Sequence, residues 1–319
     1  MYDIAQAEGL LAKEQWTSTP LLPAQAIGNK LGVDLWLKRE DCTPAGSFKL
    51  RGALVTVASR SDGLSEKGVC VASSGNYGQA IAMACQRWGV PVTVVVPEGA
   101  STSKLDRIRL CEAEVVQHGD DFDSAKEFAR STASRYGAAF WEDGVVEEMA
   151  FGAGTIASEL LEHSGPWDAV LVPVGNGSLI KGIATVLKSR SPQTRIVGLV
   201  PEGAPAMAQA IRGEPWDEAA AISTCADGLA VRVPIAEMVD ELKILVDETW
   251  LVAESKILSA VKCLIEREHV MVEPSSAITI SGLVDHRDEM LGKRVGAVLT
   301  GAHLDAGLIP SAMAAKDLL

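Results

Sequence analysis

The 319-residue sequence predicts an α/β protein in two domains, mainly parallel sheets flanked by helices, and three observations lead there. Short apolar runs alternate along the chain with segments of helical period. Several of these runs are continuously rather than alternately apolar, as in strands covered on both faces. Their order, strand then helix then strand, implies parallel pairing through right-handed crossovers.

In chain order the strands are read as "VDLWLK" (33–38), "GVCVAS" (68–73), "VTVVVP" (92–97), "AEVVQH" (113–118), "DAVLVPV" (168–174), "RIVGLVP" (195–201) and "RVGAVLTG" (294–301). Helices are expected at 47–60, 76–89, 103–112, 121–137, 154–164, 178–190, 255–268 and 275–285. No internal repeat, low-complexity tract or Pro/Gly-rich linker interrupts them. A second domain is therefore expected as an insertion: residues 45–145 as a small domain within a larger one formed by 1–44 and 146–319.

Composition narrows the function classes. A hydrophobic fraction of 47% fits a well-packed, enzyme-sized globule and argues against disorder. With 29 basic and 42 acidic residues the net charge is −13, and no Lys/Arg cluster offers a surface for nucleic acid or an anionic membrane. Cys42, Cys70, Cys85, Cys111, Cys225 and Cys263 lack C-x-x-C spacing and read as reduced core residues. The N-terminal segment is acidic and amphipathic and no run is long enough to span a bilayer, so a cytoplasmic location is expected.

Four stretches could carry chemistry. In "GSFKLRGAL", Lys49 stands at a helix start, where the positive end of the dipole and burial both disfavour the charged form and leave a nucleophilic amine suited to a Schiff base; the alternative is a snorkelling surface lysine. In "VCVASSGNYGQAIAMAC", a strand ends in Ser73-Ser74-Gly75-Asn76 before a helix, so free amides and small polar side chains could hold a carboxylate, or simply cap the helix. In "DAVLVPVGNGSLIKGIA", Gly175-Asn176-Gly177-Ser178 could cradle a phosphate. It is neither a Walker A loop nor a full G-x-G-x-x-G fingerprint, since Ile180 holds the third glycine's place. In "GAVLTGAHLD", Thr300 ends a strand, a position where threonine is usually structural.

Taken together, with "LKREDCTPAGSFKLRGAL", "ASSGNYGQAIAMAC", "VPVGNGSLIKGI", "PEGAPAM", "CADGLAV" and "VEPSSA" in this order, the chain resembles the fold type II pyridoxal-phosphate enzymes over nearly its whole length, most closely the serine/threonine dehydratase and serine racemase branch. The resemblance implies pyridoxal 5'-phosphate as cofactor, held by Lys49, which is then released to act as the base at Cα. It implies that Asn76 bonds the ring hydroxyl, that Ser73, Ser74, Gly75, Asn76 and Tyr77 hold the substrate carboxylate, and that Gly175, Asn176, Gly177, Ser178 and Leu179 bind the phosphate. Thr300 would face the pyridine nitrogen and Glu273 would lie near the ring, although an acid at a helix N-terminus also has a structural reading. The activity implied is an ammonia-lyase that eliminates the β-hydroxyl of L-serine, L-threonine or a related 3-hydroxy amino acid and yields a 2-oxo acid. A hydroxyl at Thr300 cannot keep the ring nitrogen protonated as a carboxylate would, and prompt loss of a β-substituent suits so moderate an electron sink. A homodimer is also implied.

Departures from the branch keep alternatives open. Ser74 matches a racemase base on the face opposite the lysine, or binds carboxylate only; β-replacement, as in threonine synthase or cysteine synthase, is the other alternative. Val200 and Ala206 fall where some members carry acidic metal ligands, so no metal is expected there. His303 could reach the site or cap a turn, and the turn is favoured. Trp141, Glu142, Glu147 and Glu148 are candidates for the pocket that receives the substrate side chain, or for surface. Little sequence follows the Thr300 motif, so an appended regulatory domain and feedback control are not expected.

Overall fold

The computed structural model describes residues 3–64, 66–163 and 165–319. The chain runs α1 (Ile4–Lys13), β1 (Leu21–Pro23), α2 (Gln25–Leu31), β2 (Asp34–Arg39), α3 (Lys49–Arg60), β3 (Val69–Ala72) and α4 (Asn76–Trp88). It continues through β4 (Val92–Val96), α5 (Thr102–Arg109), β5 (Glu114–Gln117), α6 (Phe122–Tyr136), β6 (Ala139–Phe140), α7 (Glu147–His163), β7 (Ala169–Pro173) and α8 (Ser178–Arg190). The remainder is β8 (Arg195–Pro201), α9 (Ala206–Arg212), α10 (Ala236–Leu245), β9 (Glu248–Val252), α11 (Glu254–Glu268), α12 (Pro274–Asp285), α13 (Arg287–Met290), β10 (Arg294–Leu299) and α14 (Ile309–Ala314). Two compact units divide it: Met1–Trp16 with Ser47–Gly152, and Thr17–Gly46 with Ala153–Leu319.

The first unit holds a four-stranded, all-parallel sheet in the order β5-β4-β3-β6. Every residue of β3 is buried, as its unbroken "VCVA" requires, whereas edge strand β5 leaves both ends exposed. Helix α6 shows how sequence becomes packing. Asp121 caps its first turn by accepting from the Ser124 amide, Gly137 in the left-handed region ends it, and Ala125, Ala129 and Ala133, four residues apart, press one face onto Cys70, Ala72 and Val95. Helix α1 packs on α3; the Arg51 guanidinium lies 4.7 Å from the Trp16 ring, and Glu14 pairs with Arg87 at 2.6 Å.

Helix α7 begins at Glu147, seven residues before the start expected at 154. Gly152 and Gly154 weaken the helical pattern in the sequence, but Gly152 serves contact: a Cβ there would stand 2.5 Å from the Gly52 Cα, and one at Gly52 would stand 2.6 Å from the Met149 Cα. Backbones therefore touch where α3 crosses α7.

The second unit holds a six-stranded sheet in the order β1-β2-β10-β7-β8-β9, parallel except for β1. Leu35, Leu37, Leu171, Val197, Leu199, Ala297 and Leu299 bring its strands into a core completed by helices such as α11 and α12. Sequence periodicity misses β1, β6 and β9 because the first two span only three and two residues and β9, at an edge, mixes buried and partly buried positions without a period. Among the described residues no helix is long and apolar enough to cross a membrane. Cys70, Cys85, Cys111 and Cys263 are buried and Cys225 is partly so, but Cys42 is exposed, a correction to its reading as a core residue: it is the last residue of the short 3-10 turn Glu40–Cys42 after β2, whose first two residues take the buried positions.

Candidate active site

Parallel sheets of this kind leave a crevice at the carboxyl ends of their strands wherever successive connections move outward in opposite directions. In the first unit that reversal falls at β3, which is followed by β4 on one side and flanked by the later β6 on the other. Two loops leave the sheet there, Ser73–Gly75 after β3 and Trp141–Val146 after β6.

The first loop delivers the chain to α4 at Asn76, as the sequence predicts. Gly75 is the N-cap with extended backbone and no side chain caps the helix, so the first-turn amides remain directed at the loop's open side. A Cβ at Gly75 would meet nothing within 4 Å, whereas one at Gly78 would stand 2.5 Å from the Ser73 carbonyl oxygen, which packs the loop tightly from behind. The Ser73 hydroxyl accepts from the Gly75 amide at 3.2 Å. Tyr77 buries its ring and its hydroxyl; burial, then the charge of Asp143, pushes that hydroxyl well above its ordinary pKa of 10.0.

Lys49 is the first residue of α3. Its ammonium lies 2.5 Å from Asp143 Oδ1, 5.5 Å from the centroid of the Tyr77 ring and 5.2 Å from that of Phe48. The side chain is 14% exposed, so a snorkelling surface lysine does not describe it. To the helix dipole and burial read from the sequence, the structure adds a carboxylate partner for this amine. Asp143 escapes the sequence reading, which considers its neighbours instead; the signal was the Asp-Gly pair, since Gly144 turns the chain at φ +89°. Of the candidates named there, Trp141 is core, Glu142 pairs with Arg130 at 2.8 Å and Lys126 at 3.3 Å, Glu148 pairs with Arg60 at 2.7 Å, and Glu147 is exposed.

In the second unit the reversal falls at β7, followed by β8 on one side and flanked by β10 on the other. Gly175-Asn176-Gly177 leads from β7 into α8, whose first residue is Ser178. Gly177 is the N-cap at φ +98°, and a Cβ on it would stand 2.6 Å from Met238 Cγ; one on Gly175 would stand 2.7 Å from the Gly228 carbonyl oxygen. Both glycines are thus required. Ser178 is buried and its hydroxyl has no hydrogen-bond partner among the described residues; Leu179 is buried behind it.

Thr300 follows β10, and its hydroxyl lies 2.9 Å from that of Ser276, which also receives the Gly301 amide at 2.7 Å. Ser276 is a residue the sequence reading quoted in "VEPSSA" without a role. Glu273 is the N-cap of α12, yet its side chain makes no capping bond; its buried carboxylate lies against Gly301, where an added Cβ would stand 2.6 Å from Oε1. The imidazole of His303 covers the turn at Gly46, 2.7 Å from where a Cβ would be, in keeping with the turn reading. Val200 lies buried in β8 and Ala206 opens α9.

A lysine with an anion-ready loop beside it in one unit, and a glycine-built anion cradle with a hydroxyl-lined neighbour in the other, are what comparison with known families meets. The profile described as pyridoxal-phosphate dependent enzyme matches residues 13–301. The chain belongs to this family. As a pyridoxal-phosphate dependent enzyme it is similar to L-threonine ammonia-lyase of Thermotoga maritima, 33% identical over 96% of this chain and 76% of that one. It is also 30% identical to L-threo-3-hydroxyaspartate ammonia-lyase of Saccharomyces cerevisiae, over 96% of this chain and 94% of that one. Among solved structures, maize serine racemase superposes with a TM-score of 0.88 at 28% identity, covering 98% of this chain and 95% of that one. The chain spans about half the length of some longer relatives.

The residues present fit this cofactor. A buried, unpartnered Ser178 hydroxyl at a glycine-capped helix start has the donor chemistry and the dipole that a phosphate dianion needs, and no side chain occupies the cap. The lysine that the cofactor's aldehyde requires is present and shielded.

Proposed function

We propose that this pyridoxal-phosphate dependent enzyme is an ammonia-lyase that eliminates the β-hydroxyl of L-serine, L-threonine or a related 3-hydroxy amino acid, giving a 2-oxo acid and ammonia. Pyridoxal phosphate, when bound, supplies the electron-withdrawing ring that makes the substrate's Cα proton removable. Lys49 holds the cofactor and, once released, takes that proton. The amides and side chains of Ser73, Ser74, Gly75, Asn76 and Tyr77 hold the substrate carboxylate, with Asn76 also bonding the ring hydroxyl. Gly175, Asn176, Gly177, Ser178 and Leu179 take the phosphate, and Glu273 lines the ring.

One observation carries the choice of elimination: the side-chain hydroxyl of Thr300 has a neutral hydroxyl, Ser276, as its partner at 2.9 Å. Thr300 would face the ring nitrogen and, as a neutral hydroxyl, would share a proton with it without holding it cationic, a setting that would favour expulsion of the β-hydroxyl. Both named ammonia-lyase relatives support the reading. A proton NMR time course in D2O with L-serine, L-threonine and 3-hydroxyaspartate tests it. Growth of 2-oxo acid is expected; loss of the Cα proton signal without 2-oxo acid would overturn it.

A second reading is racemisation, favoured by Ser74 in the loop after β3 and by the likeness to maize serine racemase. Ser74→Ala separates the two, since loss of a second base should stop racemisation and spare elimination. β-Replacement would require a nucleophile in the same assay. We also propose a cytoplasmic location, supported by six cysteines without a disulfide, and a homodimer, supported by the family resemblance and checked by light scattering. The domain roles proposed are a small domain and a larger cofactor-binding one; the bounds expected from the sequence, 45–145 within 1–44 and 146–319, differ from the compact units in that Met1–Trp16 groups with Ser47–Gly152.

A further inference from the structure

The ammonia-lyase reading uses Ser276 only as the neutral neighbour of Thr300, yet its hydroxyl is at the centre of a denser arrangement. Ser276 lies in the first turn of α12, fully buried, and its hydroxyl meets three groups of the second unit. The Gly301 amide lies at 2.7 Å, the Gly301 carbonyl at 2.9 Å and the Thr300 hydroxyl at 2.9 Å. A hydroxyl has one proton to give and two lone pairs that receive. The amide can only donate, so it takes one lone pair. A proton and a lone pair remain, facing a carbonyl that can only accept and a hydroxyl that can do either.

Two arrangements satisfy these groups. In the first, Ser276 donates to the Gly301 carbonyl and Thr300 puts its own proton into the remaining lone pair of Ser276, so that Thr300 turns only lone pairs outward. In the second, Ser276 donates to Thr300, which frees the Thr300 proton to point outward. The Gly301 carbonyl is not orphaned by that change, because the Glu273 amide also donates to it, at 3.1 Å. Passing between the two needs rotation about two C–O bonds and no movement of a heavier atom. The acid beside this array, Glu273, lies against Gly301 and is unaltered by either rotation.

We infer that Ser276 is the positioning residue that keeps Thr300 bonded to the cofactor's ring nitrogen whether or not that nitrogen carries a proton. The inference rests on Thr300 facing the nitrogen, as in the ammonia-lyase reading, and deepens that reading. A bare nitrogen needs a donor and is met by the second arrangement; a protonated one needs an acceptor and is met by the first. Among the described residues Ser276 is the one hydrogen-bond partner of the Thr300 hydroxyl, and Thr300 is itself buried, with 4% exposed. Without Ser276 the Thr300 proton has the nitrogen's lone pair as its sole acceptor, and a nitrogen whose lone pair is taken leaves that proton unmet in a buried place.

The test compares pyridoxal phosphate with its deaza analogue, in which C–H replaces the ring nitrogen and offers no lone pair. Absorbance titration gives Kd for each on wild type, Ser276→Ala, Ser276→Thr and Thr300→Val, with no turnover involved. In wild type Thr300 answers the analogue by turning its proton to Ser276, and the preference for pyridoxal phosphate sets the reference ratio. Ser276→Ala should raise that preference by about 5- to 150-fold, the cost of one unmet buried hydroxyl. Ser276→Thr, which keeps the hydroxyl, should restore the wild-type ratio, and Thr300→Val should bring it below wild type. Loss of packing alone would weaken both ligands together, so a ratio that Ser276→Ala leaves unmoved overturns the inference. If Thr300→Val still moves it, Thr300 stays at the nitrogen; if neither variant does, that placement falls too. Should Ser276→Ala not fold, Ser276→Cys, whose sulfur is a weak acceptor, should raise the preference several-fold, and no rise would overturn the inference equally. Formation of 2-oxo acid is scored separately: its absence would sink the ammonia-lyase reading while the binding ratio continues to report on Ser276.

Discussion

Replacing Ser178 by alanine should move stability and cofactor affinity in opposite directions. This hydroxyl is buried, with 3% of the residue exposed, and lacks a partner among the described residues. An unsatisfied buried polar group costs about 1–3 kcal/mol, while a methyl group of the same outline costs nothing comparable. Ser178→Ala should therefore stabilise the cofactor-free form by about 1 kcal/mol, or about 2 °C in Tm. With cofactor the sign reverses, because a hydrogen bond to a charged acceptor is worth about 1.5–3 kcal/mol. That loss corresponds to about 10- to 150-fold in Kd. Differential scanning fluorimetry of the stripped protein and an absorbance titration with pyridoxal phosphate measure the two arms. A variant that melts lower without cofactor and binds it as tightly as wild type would refute the argument that this hydroxyl is held in reserve for an anion.

Further outcomes are expected elsewhere. Lys49→Ala should abolish borohydride-fixed cofactor, seen as absence of the added mass. Gly152→Ala, which must force a Cβ to 2.5 Å from Gly52, should destabilise the protein by about 1–3 kcal/mol in urea unfolding. Gly301→Ala drives a Cβ to 2.6 Å from the Glu273 carboxylate and should weaken cofactor binding more than it lowers Tm. Burial pushes the Cys70 and Cys85 thiols up to about 11 and about 12 from 9.0. Their folded values lie above the unfolded one, so the stability they contribute is complete below pH 9 and drains away as pH rises to about 12. Urea midpoints that stay flat across that window would contradict this.

The strands that position the site are legible because their apolar residues run on without alternation: β3, β7 and β10 announce themselves, and each is followed by small or hydroxyl residues that the structure places at a strand's carboxyl end. What stays hidden has a common physical origin. Asp143 and Ser276 act through contacts that close over long sequence separations, 94 residues to Lys49 and 24 to Thr300, and no local period marks such a meeting. Strand β6 is too short to show a pattern, although it leads into the turn that carries Asp143. The early start of α7 is concealed by glycines whose low helix propensity is overridden by what they touch.

That glycine crossing also bears on how this protein can change over generations. Helix α3, rooted at Lys49, and the first turns of α7, which receive the chain from the Asp143 turn, meet backbone to backbone at Gly52 and Gly152. The lysine and the carboxylate opposite it are thus anchored to one joint that tolerates no added atom. Substitutions that reach this joint would therefore shift the lysine and its carboxylate together, so inherited change around the lysine is channelled to positions outside the crossing.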